Sequence, residues 1–340
     1  MSRIIWVLCA LVFSASAAQA TPLTGLLLPP SSGGPVKVTV GLFYLDFASI
    51  DTVDQNFRAS GELYVSWVDP RLAFDPKETH ATEHVYRKGA IWDPDLTIVN
   101  AVEGELPHTN DLDVDPTGKV TQLFRFTITL ASPFHFALFP FDRQTLPFIV
   151  ESLNYSKTDV VLQIDKSMTG LDKRASLAEW TIGDFNSKIE DVRWNESYME
   201  DDSSRAVFDL GVTRTPRYYL WKFVFPMFVI TMLSWISFLI EVKDITTQLT
   251  TSITVVLVLI AFVITLDFSL PRIPYVTWMD YFQLICFIFV ILAVIENITA
   301  HQLFLQKHEQ AAVSVRNITR VVIPIAFFIC QAGLILPKLL

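Results

Sequence analysis

Four long apolar runs close the chain. Tyr218 to Ile240 carries one charge, Lys222, and Ile245 to Leu266 carries none. Trp278 to His301 holds Asp280 and Glu296 near its ends, and Val321 to Pro337 is uncharged. At about 1.5 Å rise per residue each is long enough to cross ~30 Å of hydrocarbon as a helix. The pattern therefore predicts spans near 218–240, 245–268, 278–301 and 316–337. Ahead of them, residues 21–217 show short runs that alternate or cluster β-branched and aromatic residues: Val36–Leu45, Phe57–Val68, Val120–Leu130, Leu146–Leu153, Val160–Ile164 and Ala206–Val212. Asp69-Pro70, Asp93-Pro94 and Asp115-Pro116-Thr117-Gly118 punctuate them with turn chemistry. Many short strands without long amphipathic helices predict an all-β sandwich of the immunoglobulin-like, two-layer kind over 21–217, followed by a four-helix transmembrane bundle over 218–340.

The first twenty residues have a third pattern: Arg3, an apolar run from Ile4 to Phe13, then Ala18-Gln19-Ala20. That is the layout of a secretory signal peptide cleaved after Ala20, and its run of about ten residues is short for an anchor. The β-rich half is then expected outside the cytoplasm and the C-terminus returns to that side after four spans. Composition agrees with a membrane protein: 51% of 340 residues are hydrophobic, 18% are charged and mean hydropathy is +0.40. Charge is divided unevenly. Residues 21–217 hold 18 Lys and Arg against 29 Asp and Glu, a net of −11, and residues 218–340 hold 7 against 6. Neither half offers a basic footprint for phosphate backbones, so a nucleic-acid partner is not expected. Cys9, Cys286 and Cys330 all lie in apolar stretches, which leaves the exported half without a disulfide framework.

The second span carries the most unusual polarity. Seven of its nine residues from Thr246 to Thr254 are polar, and hydroxyls facing lipid without partners are costly. On a helix, Thr246, Thr250, Thr254, Leu257, Ala261 and Ile264 fall on one face, next to a wholly apolar face of Leu249, Ile253, Val256, Ile260 and Val263. The first stripe suits water and the second suits packing. Hydroxyls bonded to their own helix carbonyls or to neighbouring helices fit the same residues equally well.

Several motifs give the chain a family likeness. Phe139-Pro140-Phe141-Asp142-Arg143-Gln144 resembles the FPFDxQ core of the Cys-loop in pentameric ligand-gated ion channels. Trp67-Val68-Asp69, and Trp92-Asp93-Pro94-Asp95 with Asn100, are similar to that family's WxD and WxPD signatures. Pro226 in the first span and Leu270-Pro271-Arg272-Ile273-Pro274-Tyr275 after the second match the membrane half of bacterial members. The likeness runs in order from residue 36 to 340. Ser132 and Leu146 stand where animal receptors carry the loop cysteines, and the connection between the third and fourth spans is short, which points to a prokaryotic member. The resemblance implies a pentamer, here a homopentamer, whose second helices line an axial pore through Thr246, Thr250, Thr254, Leu257, Ala261 and Ile264. It implies charge rings at Asp244 and Asp267. It places an inter-subunit agonist pocket at Thr97, Leu153, Tyr155, Trp194 and Tyr198, with Glu62 reaching from the neighbour, and gating contacts at Asp51, Asp142, Arg214 and Pro274. Leu153 and Glu62 replace aromatic residues of amine-gated pockets, so a cage for a quaternary ammonium is incomplete.

The Pro-Ala-Arg-like entrance of the family's anion channels is absent, and so is the inner-mouth Glu of many cation channels, where this chain has Thr246 and Thr247. The expected function is a ligand- or proton-gated channel for monovalent cations in a bacterial inner membrane, without a cofactor or enzymatic activity. A secondary transporter would show paired repeats, and a non-conducting sensor would need an inner signalling segment. Other patterns carry less. His80-Ala81-Thr82-Glu83-His84 has the spacing of a zinc-binding H-x-x-E-H helix in a short polar segment that reads as a loop, so no metal site is expected. Asp280 and Glu296 read as side chains snorkelling to the interfaces.

Overall fold

The computed structural model describes residues 24–30, 33–104, 106, 111–193, 202–267 and 272–339. Twelve strands are formed among them: β1 Val36–Asp51, β2 Asn56–Val68, β3 His84–Arg87, β4 Leu96–Ile98, β5 Ala101–Glu103, β6 Asp111–Val114, β7 Lys119–Ala131, β8 Arg143–Ser152, β9 Val160–Ile164, β10 Gly170–Leu171, β11 Trp180–Val192 and β12 Ser203–Arg214. One sheet runs β10-β1-β2-β7-β6-β3, with β9 also on β1 and β5 also on β7. The other runs β11-β12-β8-β4. Side chains alternate as the pleat requires. In β7, Val120, Gln122, Phe124, Phe126, Ile128 and Leu130 all point inward. They meet the inward residues of β8 and β12, with Phe126 5.1 Å from Phe148 and Phe148 6.4 Å from Phe208. This two-sheet core is the expected sandwich.

The strands missed in the sequence have physical reasons. β3 to β6 and β10 are two to four residues long, too short for a period to show. β11 is an edge strand whose ladder is with β12 alone, and it carries Asp184, Lys188, Glu190 and Asp191. Charge on an edge blunts further pairing and also hides the strand from a hydrophobicity pattern. The H-x-x-E-H residues do not share a helix turn: His80 caps a four-residue helix in a left-handed conformation (φ 53°), and His84 opens β3.

Four apolar helices follow: α1 Arg217–Leu239, α2 Ile245–Asp267, α3 Trp278–Leu305 and α4 Glu309–Leu339. α1 is not uniform. It widens to a π turn at Leu220–Val224 and tightens to 3-10 geometry at Trp235–Leu239. The π turn lies just ahead of Pro226, which has no N–H to give to the Lys222 carbonyl. α3 starts on a capping box, with Thr277 and Asp280 satisfying each other's backbone N–H groups. That is the role of Asp280, in place of the snorkelling expected. α4 begins at Glu309, ahead of the apolar run, because Glu309 to Arg316 is a helical stretch that mixes Ala and Val with Glu309, Gln310, Ser314 and Arg316 and so does not read as part of a span. The connection between α3 and α4 therefore shrinks to Gln306–His308.

Candidate functional site

The junction between sandwich and helices is built around one arginine. Phe208, Leu210, Val212 and Arg214 share the inward phase of β12, so the last of them enters the bottom of the core, where its side chain is fully buried. Its guanidinium forms a two-pronged pair with Asp142, Nε to Oδ1 at 2.8 Å and Nη2 to Oδ2 at 3.1 Å. The Trp180 ring lies 4.1 Å from the guanidinium carbon, with Phe139 and Tyr219 at 5.0 and 5.6 Å. Gln144 donates to Asp142 Oδ2 at 2.6 Å. It also clamps the backbone of His135 from both sides, accepting from its N–H and donating to its carbonyl.

The loop held in this way, residues 132–142, bonds directly to the membrane half. Phe136 N donates to the Tyr275 hydroxyl at 3.0 Å, Trp278 N donates to the Ala137 carbonyl at 3.0 Å, and the His135 ring stacks on Tyr275 at 5.3 Å. Phe141 packs edge-on against Trp278 at 4.9 Å. The turn after β1 joins through Gln55, whose Oε1 accepts from Phe134 N and whose carbonyl accepts from Ser132 N. Two expectations are corrected here. Asp51 is exposed and gives its carboxylate to Val53 N and Asp54 N of its own turn, outside the Arg214 pair. Asp142 forms the expected charge cluster with Arg214 and does not press on Pro274, which is exposed and flanked by the residue that bonds the loop, Tyr275. Gln55, Trp180 and Tyr275 were missed as junction residues. Only Tyr275 lay inside a motif read in the sequence.

In the membrane half, Thr246, Thr250, Thr254, Leu257, Ala261 and Ile264 of α2 are all exposed on the protomer. The face buried against the other helices is Gln248, Ser252, Val255 and Leu259. That corrects the expected packing face, of which Ile253 and Ile260 are exposed. The reason is a set of polar partners that the other helices bring to Gln248 and Ser252, among them Asn297. Thr254 Oγ1 donates to the Thr250 carbonyl and Thr251 Oγ1 to that of Thr247, so part of the threonine stripe is bonded to its own helix while still facing outward. Asp244 caps α2, accepting from Thr247 N at 3.1 Å and Thr247 Oγ1 at 2.6 Å. The Thr247 hydroxyl, and then its N–H, hold this exposed carboxyl below its usual range. Glu296 is also corrected: it does not snorkel but lies buried, 3.3 Å from Arg316 Nε.

The sandwich holds a cavity of about 250 Å³ whose lining includes Thr97, Leu153, Lys88 and Asp93. Lys88 Nζ lies 3.6 Å from Asp93 and 3.8 Å from Asp95. Tyr155 packs on Trp92 at 5.5 Å beside it, and Trp92 meets Trp67 edge-on at 5.7 Å. Glu62 is ion-paired across the strand to Arg125 of its own chain at 2.5 Å. Trp194, Tyr198 and the side chain of Asp267 fall outside the described residues, as do residues 1–20.

A two-sheet β domain joined to four membrane-length helices defines the class, a multi-pass membrane protein with a β-sandwich domain ahead of its spans. The neurotransmitter-gated ion-channel ligand binding domain matches residues 24–216, and the neurotransmitter-gated ion-channel transmembrane region matches residues 223–331. The chain belongs to this family, the pentameric ligand-gated ion channels, and its relatives are channels rather than enzymes. It is 28% identical over 304 residues to the proton-gated ion channel of Gloeobacter violaceus, covering 89% of this chain and 83% of the relative. It is 29% identical over 281 residues to the human gamma-aminobutyric acid receptor subunit rho-1, covering 78% of this chain and 57% of that subunit. The mouse theta subunit is 27% identical over 287 residues, 82% of this chain and 44% of its own length.

Proposed function

We propose that five copies of this chain form a monovalent-cation channel in a bacterial inner membrane, opened by a small molecule or by protons at an exported sandwich domain. The observation that carries the pore is the exposed stripe of α2, polar at Thr246, Thr250 and Thr254 and apolar at Leu257, Ala261 and Ile264, opposite a face buried within the protomer. Five such stripes around an axis would place a hydrated passage at the inner end and a constriction at Leu257 that excludes water when narrow. Membership of a pentameric family supports that symmetry. The signal-like residues 1–20 support an external sandwich and an inner end at Asp244.

Cation preference is supported by charge. A net of −11 over residues 21–217 becomes −55 for five copies, and Asp244 stands exposed as the cap just ahead of α2. Salt screens the outer field within ~8 Å, so a ring of Asp244 or Asp267 is the closer influence on a passing ion. The agonist pocket is assigned to the surface beside Thr97, Leu153 and Tyr155, completed by Trp194, Tyr198 and a neighbour's Glu62. Protons as the stimulus have the support of the Gloeobacter relative's name. Planar bilayers containing the purified protein, in a NaCl gradient at several pH values and with a panel of small amines and carboxylates, test the reading. A reversal potential near that of sodium is expected, and one near that of chloride would overturn the selectivity. Silence under every condition would favour a non-conducting sensor.

A further inference from the structure

The inner end of the helix bundle contains a buried polar network that the gating contacts do not use. Arg316 belongs to α4 and is 6% exposed. Its guanidinium reaches all three other helices. Nη1 donates to the Ile240 carbonyl at 2.6 Å, where α1 gives way to its connection with α2. Nη2 donates to Gln248 Oε1 on α2 at 3.1 Å and to Asn297 Oδ1 on α3 at 3.3 Å, and Nε faces Glu296 Oε1 at 3.3 Å. The network continues from there. Gln248 Nε2 donates to the Glu241 carbonyl at 2.6 Å, and Asn297 Nδ2 donates to Ser237 and Ser252 at 3.0 and 3.2 Å. Gln248, Ser252, Asn297 and Ser237 are fully buried.

Gln248 sits about 200° around α2 from both Thr246 and Thr250, at 100° per residue, so the group Arg316 holds lies on the back of the stripe that faces outward. A helix held from behind at its first turn has its rotation and its distance from any axis set by that bond. Gln248 is fully buried, so no solvent reaches it to replace the bond, and a guanidinium can bond four acceptors on three helices where an ammonium has fewer, less directed donors. The geometry points to Arg316 as a positioning residue for the inner mouth of the pore. Acting through Gln248, it fixes how Thr246 and Thr250 are presented. This inference rests on the reading of α2 as the pore helix.

The test uses the full chain in planar bilayers, with Thr246→Cys as reporter and a cationic methanethiosulfonate added from the inner side. The unaltered cysteines serve as the blank. Arg316→Gln is expected to change the unitary conductance and to shift the Thr246→Cys modification rate by about tenfold, the scale set by orphaning one buried hydrogen-bonding group. Gln248→Leu, which keeps the Arg316–Glu296 pair, is expected to act in the same direction, with Arg316→Lys intermediate. If Arg316→Gln does not assemble, Gln248→Leu decides. Lower expression with unchanged conductance, reversal potential and modification rate would overturn the inference while the channel reading stands. If the wild type passes no current, the channel reading fails, and the modification rate measured by mass spectrometry still shows whether Arg316 holds the first turn of α2.

Discussion

At the scale of single residues, the junction concentrates its energy in Arg214. Two charges removed from water are stabilised only while both are present, and breaking such a buried pair costs about 3–5 kcal/mol. Arg214→Gln is therefore expected to lower surface expression or abolish gating, read by surface labelling together with recordings; normal currents at normal expression would make the pair dispensable. Tyr275→Phe is the gentler probe, since it removes only the oxygen that accepts from Phe136 N. Orphaning that N–H is worth roughly 1–3 kcal/mol. A reduced agonist sensitivity at normal expression is expected, and an unshifted dose–response curve would separate this bond from gating. Likeness to the FPFD motif made Asp142 legible as a junction residue and as a partner of Arg214 in a charge cluster, which the pair at 2.8 Å bears out. Arg214 was legible by likeness alone, because a strand pattern reads an arginine as outward and β12 carries this one inward on the phase of Leu210 and Val212.

At the scale of elements, α2 is decided by which of its faces is left over. Leu257 is 62% exposed on the protomer, too much for a residue whose role is packing within one subunit. Leu257→Ser is expected to raise resting leak and agonist sensitivity, because a polar side chain lets water into a narrow apolar ring. Poor assembly with unchanged leak in the surviving channels would return Leu257 to packing between subunits. Asp244 offers a clean separation of charge from structure, since Asn caps a helix about as well as Asp. Asp244→Asn should leave α2 intact and reduce cation over anion permeability in a NaCl gradient. An unchanged reversal potential would move the filter to Asp267 or to the sandwich domain. The stripe itself was readable from period alone. Its packed neighbour was not, because Gln248 and Ser252 are buried by partners on α3, α4 and the α1–α2 connection that no local pattern of α2 contains.

For the whole molecule, the acidic sandwich domain has an acid limit that can be located. Asp115 accepts from the Thr117 hydroxyl and from the N–H groups of Thr117 and Lys119, which together close the β6–β7 turn. The Thr117 hydroxyl is the largest of the influences holding this carboxyl below its usual 3.8. Its stabilisation is complete above that value and is lost as pH falls below it, since protonation removes the acceptor. Asp165 with Ser167 and Asp172 with Arg174 behave in the same sense. Protection of the Gly118 and Lys119 amides, read as hydrogen exchange corrected for its intrinsic pH dependence, should stay flat from neutrality to about pH 4 and fall below it, as the lowered carboxyls require. Loss of protection already at pH 5–6 would contradict the assignment. Gly118 adds a second constraint on the same turn. Its φ is 79°, and a Cβ there would strike the Asp69 carbonyl, tying the turn to the Trp67-Val68-Asp69 motif.

The sequence by itself determined whatever is written locally: a β-rich half and four apolar spans, the division of charge between them, the threonine stripe, and motifs specific enough to identify the family. Those properties rest on periods of two and 3.6 and on contiguous composition, which a chain carries before it folds. Tertiary structure decided which side chains are solvated and which are paired. Only folding brings Asp142 within 2.8 Å of a residue 72 positions away, or sets Arg316 against carbonyls and amides from three other helices. The charge of a buried group is compensated by neighbours in space, and the order of residues along the chain does not contain those distances.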